Sequence, residues 1–280
     1  MKKFFALLAL AALLLTAHLP AQADEQMDAI HKRGRLKVAV YNNFPPYSDA
    51  GKGIDVELGQ ALAAKLGLQA EIIGFMAGED MGDDLRNMVW KGHYLGTQPA
   101  DVMMHVPVDP YLAKANDKVR IFGAYHREAL ALARRPERVR QAPSGSAAVA
   151  LEVFTREKIG VETASLADSF LLGVLNGRLR DNVVHFKTVG EAAQALAAGQ
   201  VAAVLATRAE LEAALKGQRE LPVEPVSFPE LKVDSWPLGM AVKVEEQALA
   251  DAIAAALAEL KRDGSLAEIF RRHGISHLPA

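Results

Sequence analysis

The residues from Arg35 to Phe75 constrain the fold of this 280-residue chain more than any other segment. Arg35–Tyr41 alternates polar and apolar side chains, and both this segment and Gln69–Phe75 predict strands. Between them, residues 54–66 carry apolar side chains at helical spacing and end at Gly67. Two strands joined through a helix pair in parallel, because a two-residue turn serves only antiparallel neighbours. The chain is therefore predicted to be an α/β protein with parallel strands.

The same alternation returns later in the chain. Two successive α/β units followed by a helical return predict two α/β lobes with a cleft between them. The elements predicted after the first unit are a helix at 83–91, strands at 99–108, 118–125 and 128–134, a loop at 135–148, a strand at 158–161, a helix at 166–176, a strand at 183–186, a helix at 189–198, strands at 201–206 and 237–244, and helices at 248–262 and 265–273.

The N-terminus has the three parts of a secretory signal. Lys2 and Lys3 precede an apolar run at residues 4–17, and Ala-Gln-Ala at 21–23 is a small-x-small cleavage site. Removal of residues 1–23 would leave 257 residues (280 − 23) with a net charge of −4, since the −2 of the whole chain loses two lysines. A periplasmic protein is expected; the alternative is an uncleaved anchor. No second apolar run of bilayer length follows.

Composition and motifs exclude several functions. The chain has no cysteine, so disulfides, thiolate catalysis and a lipid anchor on an N-terminal cysteine are excluded. There is no strong basic excess, so nucleic acid is not an expected partner. The sequence lacks a Gly-x-Ser-x-Gly elbow, a phosphate loop and a His-Glu-x-x-His zinc helix. We therefore expect no enzyme activity and no cofactor. His93, Asp101, His105 and Asp109 lie near each other in sequence without metal-ligand spacing, so no metal site is expected.

Four segments of the mature chain carry a family resemblance: LKVAVYNNFPPYSDAGKGIDVELGQALAAKLGLQAEI, KIGVETASLADSFLLGVL, VGEAAQALAAGQVAAVLA and WPLGMAVKVEEQALADAIAAALAELKRDGSLAEIFRRHGI. In this order they resemble the family 3 periplasmic solute-binding proteins, which have the type II periplasmic-binding fold. The resemblance implies two lobes, each a mixed sheet flanked by helices, joined by two crossover strands with ligand held in the cleft. It implies a first lobe at 24–126 plus 237–280 and a second at 127–236.

A narrower resemblance lies in the segment DDLRNMVWKGHYLGTQPADVMMHVPVDPY. It is similar to the branch associated with quinoprotein (PQQ-dependent) alcohol dehydrogenases, including an accessory protein of methanol dehydrogenase systems. Eight residues separate Gly92 from Asp101, so the turn is longer than the ordinary turn of the family. This branch implies an accessory role in maturation or activation of a periplasmic quinoprotein dehydrogenase. The alternative is a substrate-binding protein that delivers a small polar solute, other than an ordinary α-amino acid, to an ABC permease.

The amino-acid binders of this family hold the ligand carboxylate with an arginine and the ligand amine with an aspartate. The segment that matches the arginine stretch runs from His105 to Pro110, lacks arginine and contains Asp109. The position that matches the aspartate is Thr207. A zwitterion would be desolvated there without compensating charges, so tight binding of α-amino acids is not expected. His105, Asp109 and Thr207 remain candidates for lining the cleft.

Two aromatic residues and two hydroxyl residues are further ligand candidates. Phe44 and Tyr47 match the region where the family places an aromatic ring against the ligand; packing within the lobe is the alternative for both. Thr163 and Ser165 lie at the N-terminus of the predicted second-lobe helix, where free amides can hold an anionic or polar group. A plain helix cap is the alternative for Ser165.

The lengthened turn supplies candidates for partner recognition. Trp90, His93 and Tyr94, with Asn87 before them, are expected to be exposed there. Aromatic residues are enriched at binding hot spots, and loops on rigid lobes commonly carry recognition. The alternative is that Met88 and Trp90 pack into the core of the lobe.

Overall fold

The structure is a computed structural model, and it describes residues 19–140 and 145–280, with side chains from residue 26 onwards. Residues 1–18 of the predicted signal peptide lie outside the described residues. Among the helices that are described, none combines the length and the apolar character needed to cross a membrane.

Helices and strands alternate along most of the chain. The strands are β1 (Arg35–Tyr41), β2 (Gln69–Phe75), β3 (Val102–Pro107), β4 (Val119–Arg134), β5 (Ile159–Glu162), β6 (Val183–Phe186), β7 (Ala203–Thr207), β8 (Val223–Pro225) and β9 (Ser235–Lys243). The α-helices are α1 (Leu19–Arg33), α2 (Ile54–Lys65), α3 (Met81–Leu85), α4 (Pro110–Ala115), α5 (Ala147–Ala150), α6 (Leu166–Gly173), α7 (Val189–Ala197), α8 (Arg208–Ala214), α9 (Gln247–Arg262) and α10 (Ser265–His273).

The chain divides into two compact units. Unit 1 contains the residues up to Asn42 with Ala50–Gly123 and Gly239–Ser265, and unit 2 contains Asn43–Asp49, Ala124–Leu238 and Leu266–Ala280. The lobe limits expected from the sequence differ from this division chiefly in Asn43–Asp49 and Leu266–Ala280, which both belong to unit 2. That the predicted limits separate two lobes that fold or move independently stays a prediction.

The sheet of unit 1 has the strand order β2-β1-β3-β9-β4, with β9 and β4 contributing only their parts within the unit. β1 and β2 pair in parallel from Arg35 opposite Gln69 to Tyr41 opposite Phe75, as the strand–helix–strand pattern predicts. α2 packs closely on β1, as one distance shows: a Cβ atom added to Gly59 would lie only 2.9 Å from Cγ1 of Val38. Glycine at this position lets the helix pack closely on the sheet.

The sheet of unit 2 has the order β4-β7-β5-β6, and β8 pairs with β4. β5 is parallel to β6 and to β7, whereas β7 is antiparallel to β4. Successive residues of β7 enter two different cores: Leu205 packs with residues of α6, and Val204 packs with residues of α7 and α8. The sheet is therefore covered by helices on both faces, as expected where parallel strands have apolar side chains on both sides.

Several predicted elements were wrong in extent. The helix predicted at 83–91 is the short α3 followed by a turn of π-helix at Arg86–Trp90. The helix predicted at 166–176 ends at Gly173, since Leu175 and Asn176 have positive φ angles of 53° and 56°. α1, α4, α5, α8 and β8 were not predicted, and α5 begins inside the predicted loop at 135–148. α8 starts directly after β7, so no loop residues announce it.

The two strands predicted at 118–125 and 128–134 form the single strand β4. The polar pair His126 and Arg127 lies between the two predicted segments, and the C-terminal tail covers this position. The His126 ring lies 4.5 Å from the ring of Phe270, and the Arg127 amide donates to the Leu278 carbonyl at 2.9 Å. The tail therefore satisfies polar groups that would otherwise interrupt the strand.

Candidate ligand-binding site

Two cavities in unit 2 form the candidate site. Their volumes are about 410 Å³ and about 250 Å³. Phe44, Glu162, Val189 and Glu210 line both of them, so the two share walls. We call the combined recess the acidic pocket. Its dimensions suit a small molecule rather than a macromolecule.

The acidic pocket lies at the C-terminal ends of parallel strands. Glu162 is the last residue of β5, Thr207 is the last residue of β7, and Glu210 lies in the first turn of α8. Because β5 and β7 run in parallel, these ends meet at the same edge of the sheet. Ligands of open α/β sheets bind at this edge, where strands give way to helices.

Glu162 is held by α7, the helix that comes after the neighbouring strand β6. Its Oε2 atom accepts a hydrogen bond from the amide of Val189, the first residue of α7, at 3.2 Å. Burial raises the pKa of Glu162 above its ordinary value, and the bond from Val189 opposes that increase. The carboxylate of Glu162 therefore occupies the N-terminus of α7, where the helix dipole favours a negative charge.

Glu210 is the most strongly perturbed carboxyl group of the pocket. Burial raises its pKa to about 8, a hydrogen bond from the Thr207 hydroxyl lowers it, and the charges of Glu162 and Glu128 raise it. No Lys, Arg or His side chain of the described residues lies within 4.0 Å of either Glu162 or Glu210. Glu210 is therefore expected to hold a proton near neutral pH unless a positive charge enters the pocket.

The remaining walls of the pocket are apolar, aromatic or weakly polar. Asp49 is a third acid at the larger cavity, and no Lys, Arg or His lines either cavity. The rings of Phe44 and Trp236 are half-buried and supply aromatic surface. The pocket thus combines negative charge with faces on which an apolar or cationic group can pack.

The two predicted aromatic residues have different positions. Phe44 lines both cavities, and its contact with a ligand stays a prediction. Tyr47 is only 1% exposed and lines neither cavity. Its hydroxyl donates to Oε2 of Glu128, and its ring stacks on that of Phe44 with centroids 5.5 Å apart. Tyr47 therefore supports Phe44 from behind, which is the packing alternative raised from the sequence.

Thr207 and Ser165 also line the pocket, and both have partners within the chain. The Thr207 hydroxyl donates to Glu210, whereas Ser165 Oγ accepts from the Asp168 amide at 3.1 Å and caps α6. The hydroxyl of Thr163 donates to the Phe186 carbonyl at 3.0 Å. The structure thus shows a helix cap at Ser165 and a hydroxyl at Thr163 that ties neighbouring loops together.

The structure places His105 and Asp109 in unit 1. His105 has a positive φ of 63°, and its Nδ1 atom lies 3.1 Å from Oδ2 of the buried Asp55. The ring lies edge-on to Tyr41, whose hydroxyl donates to Asp84 at 2.6 Å. Such a backbone angle in a non-glycine residue is maintained only when the surroundings enforce it.

Asp109 has a plainer role. Its Oδ1 atom accepts from the Leu112 amide at 2.7 Å and caps the N-terminus of α4. In the part of the chain that the structure describes, no group of three or more His, Asp or Glu side chains comes together as a metal site.

The lengthened turn after the π-helical segment is exposed in part. Tyr94 is 85% exposed and Trp90 is 37% exposed, as expected for partner candidates. His93 is more constrained: its ring lies 4.4 Å from that of Tyr94, and its Nδ1 atom accepts from the Leu95 amide at 3.2 Å. Asn87 is buried at 9% exposure, so the expectation of an exposed side chain there was wrong; the π-helical turn directs it inward.

The sequence analysis missed the acids that dominate the pocket. Glu162 and Glu210 come from distant parts of the chain and meet only because β5 pairs with β7. A partial signal was present: each acid lies within three residues of a candidate that was chosen, Thr163 or Thr207. Trp236, at the start of β9, carried no such signal.

Neither a family model nor a curated protein matches this chain. Solved structures do. An ancestral cationic amino acid solute-binding protein (AncCDT-1) is 20% identical with a TM-score of 0.68, over 89% of this chain and 99% of that one. AbpA, an amino acid ABC transporter substrate-binding protein from Streptococcus pneumoniae Canada MDR_19A bound to L-arginine, is 19% identical with a TM-score of 0.60, over 88% and 97%. An ancestral arginine-binding protein bound to glutamine is 25% identical with a TM-score of 0.55, over 86% and 97%.

These similarities establish the fold. The chain has the mixed α/β fold of the two-lobed periplasmic binding proteins, which confirms the fold class expected from the sequence. Most of the similar structures are described as solute-binding proteins, although one ancestral protein is also described as a precursor of cyclohexadienyl dehydratase. None of these descriptions mentions a quinoprotein dehydrogenase, so the narrower resemblance gains no support from them.

Proposed function

We propose that the chain is a periplasmic solute-binding protein that delivers a small polar solute, other than an ordinary α-amino acid, to an ABC permease. The observation that carries this proposal is the acidic pocket, which lies at the ligand-binding edge of a parallel sheet in a fold typical of solute-binding proteins. The proposal includes export to the periplasm, with residues 1–23 removed as a signal peptide, and no catalytic activity. It reverses the order of the two roles expected from the sequence.

Ordinary α-amino acids are expected to bind weakly. The acidic pocket offers no basic side chain for a carboxylate, and the N-terminal amide of Val189 already donates to Glu162. Isothermal titration calorimetry of the mature protein with the standard amino acids should show no dissociation constant in the micromolar range. L-Arginine is the most demanding trial, because AbpA was solved with it. Micromolar binding of any of these amino acids would contradict the exclusion.

The accessory role remains a second candidate because of one surface. Tyr94 and Leu95 are 85% and 75% exposed at the tip of the lengthened turn. Adjacent exposed apolar side chains on a short turn are typical of protein contact sites. The partner in this case would be a periplasmic quinoprotein dehydrogenase.

Affinity purification of the tagged mature protein from periplasm and membranes separates the two roles. We expect an ABC permease to be captured and a quinoprotein dehydrogenase to be absent. Capture of the dehydrogenase, lost in the double variant Tyr94→Ala and Leu95→Ala, would favour the accessory role instead. Tyr111→Ala is the matched control, since Tyr111 is 84% exposed elsewhere in unit 1.

A further inference from the structure

We propose that the acidic pocket binds an organic cation that carries no carboxylate group, such as an amine or guanidinium on a short apolar chain. This inference rests on the proposed function and gives it a substrate class. The amino-acid binders with similar structures take ligands that have a carboxylate, such as the L-arginine bound to AbpA. The chemistry of this pocket fits only the positive part of such a ligand.

The cavity has room and surface for the apolar part of the ligand. The larger compartment of about 410 Å³ and the smaller one of about 250 Å³ share the ring of Phe44, and Trp236 lines the smaller one. Aromatic faces attract alkyl ammonium and guanidinium groups through the negative potential of the ring. Tyr47 holds Phe44 in place by stacking, so this wall is fixed before ligand arrives.

The carboxyl groups supply acceptors for the positive part. Glu162 uses Oε2 for the Val189 amide, and Glu210 uses Oε2 for the Thr207 hydroxyl. Within the described chain, the other oxygen of each carboxyl group has no hydrogen-bond partner. A cation placed between them would take up these acceptors and offset the repulsion between the two acids.

Among the residues that the structure describes, no basic side chain lines either cavity, so a negatively charged group has no ionic partner there. Two amides around the start of α6 are also used, because the Ala164 amide donates to Oδ2 of Asp168 at 2.8 Å and the Asp168 amide donates to Oγ of Ser165 at 3.1 Å. The basic residue nearest in sequence to Glu210 is Arg208, and it pairs with Glu212 at 2.7 Å. A carboxylate-bearing ligand would therefore lose hydration without gaining an ionic partner.

The charged groups around Glu210 also predict a pH dependence. The charged groups near Glu210 are Glu162 on β5, Glu128 on β4 and Asp49 in the segment Asn43–Asp49, and all three are acidic. The pKa of Glu210 therefore stays raised until a cation binds. A cation that keeps its charge should bind roughly 100-fold more tightly at about pH 9 than at about pH 6, since binding requires ionised Glu210 and the pKa of Glu210 is about 8. Fixed-charge ligands of the opposite sign should show no such increase.

Calorimetry with agmatine and L-arginine tests the proposal, because the two differ by one carboxylate. We expect agmatine to bind at least about 100-fold more tightly than L-arginine to the mature protein near neutral pH. Glu210→Gln and, separately, Glu162→Gln should each weaken agmatine binding by about tenfold or more, whereas Glu220→Gln, at an exposed position outside the pocket, should not. Two acids are tested singly, so that misfolding of one variant leaves the other informative.

The outcomes separate this inference from the proposed function. Equal binding of agmatine and L-arginine, or agmatine binding that survives both pocket substitutions, would overturn the inference. A thermal-shift panel of neutral sugars, dicarboxylates and amines is run in parallel. Tight binding of a neutral or anionic solute would refute the cation class while leaving the proposed function intact. A protein that binds nothing in the panel would contradict both.

Discussion

Replacing Glu210 by glutamine is expected to stabilise the folded protein above about pH 8 and to change its stability little below about pH 4. Burial raises the pKa of Glu210 from 4.5 to about 8 in the folded state. Between these values the folded protein holds a proton that the unfolded chain has released. Stability contributed by the protonated group is complete below pH 4.5, declines as the pH rises and is lost once the pH passes about 8. Glutamine resembles the protonated acid and removes this decline.

We expect the variant to gain about 1–3 kcal/mol in the free energy of unfolding at alkaline pH. Urea unfolding at a series of pH values, for the wild type, Glu210→Gln and the exposed control Glu220→Gln, measures the difference. Glu246 in unit 1 has a pKa raised to about 7 by burial, and its contribution is the same in all three proteins. Curves for wild type and Glu210→Gln that stay parallel across the range would show that folding does not raise the pKa of Glu210.

Replacing Phe154 by alanine is expected to cost about 3–5 kcal/mol of stability, because it removes a fully buried ring. Phe154 is completely shielded from solvent and packs in the core that also contains Leu130, Ile159 and Leu205. These neighbours lie on three strands of one sheet, so the cavity left behind can close only partly. The substitution should weaken unit 2, on which the acidic pocket is built.

The urea midpoint of Phe154→Ala reports this loss, with Val149→Ala as the control in the same unit. Val149 is 76% exposed, and its substitution should change stability by less than about 0.5 kcal/mol. A loss below about 1 kcal/mol for Phe154→Ala would mean that the core around it repacks without a cavity. Agmatine should raise the midpoint of the destabilised variant, because ligand binds only the folded pocket.

The parts of the fold that local rules specify were predictable. β1 and β2 were placed at their observed bounds, and α10 likewise, because alternation, helical spacing and glycine stops are read from neighbouring residues. The sequence predicts two strands at 118–125 and 128–134, but β4 continues through the polar residues His126 and Arg127. Their partners, Phe270 and Leu278, come from the other end of the chain, and no local pattern reveals them.

The site was predictable only in part, for a related reason. Phe44, Ser165 and Thr207 were identified and line the acidic pocket, but the acids beside them were not. A glutamate at the end of a strand looks the same in sequence whether it faces solvent or a second acid. Only the pairing of β5 with β7 brings Glu162 and Glu210 to one recess, and this pairing is a property of the whole sheet.

The reverse case is equally informative. His105, Asp109 and Tyr47 are polar or aromatic residues at positions where ligand contacts were expected. In the structure each has a partner in its own unit: Asp55 for His105, the start of α4 for Asp109, and Glu128 for Tyr47. Whether these residues also meet a ligand stays a prediction, but their internal contacts explain their chemistry without one.

The division of the chain has a practical consequence for protein engineering. Asn43–Asp49 belongs to unit 2, although the residues before and after it belong to unit 1, and Leu266–Ala280 is assigned to unit 2 as well. A fragment cut at Ala124 and Leu238 would lack the ring of Phe44 and the tail that covers β4. To transfer the whole of unit 2 into another protein of this fold, three separate segments would therefore have to be exchanged rather than one.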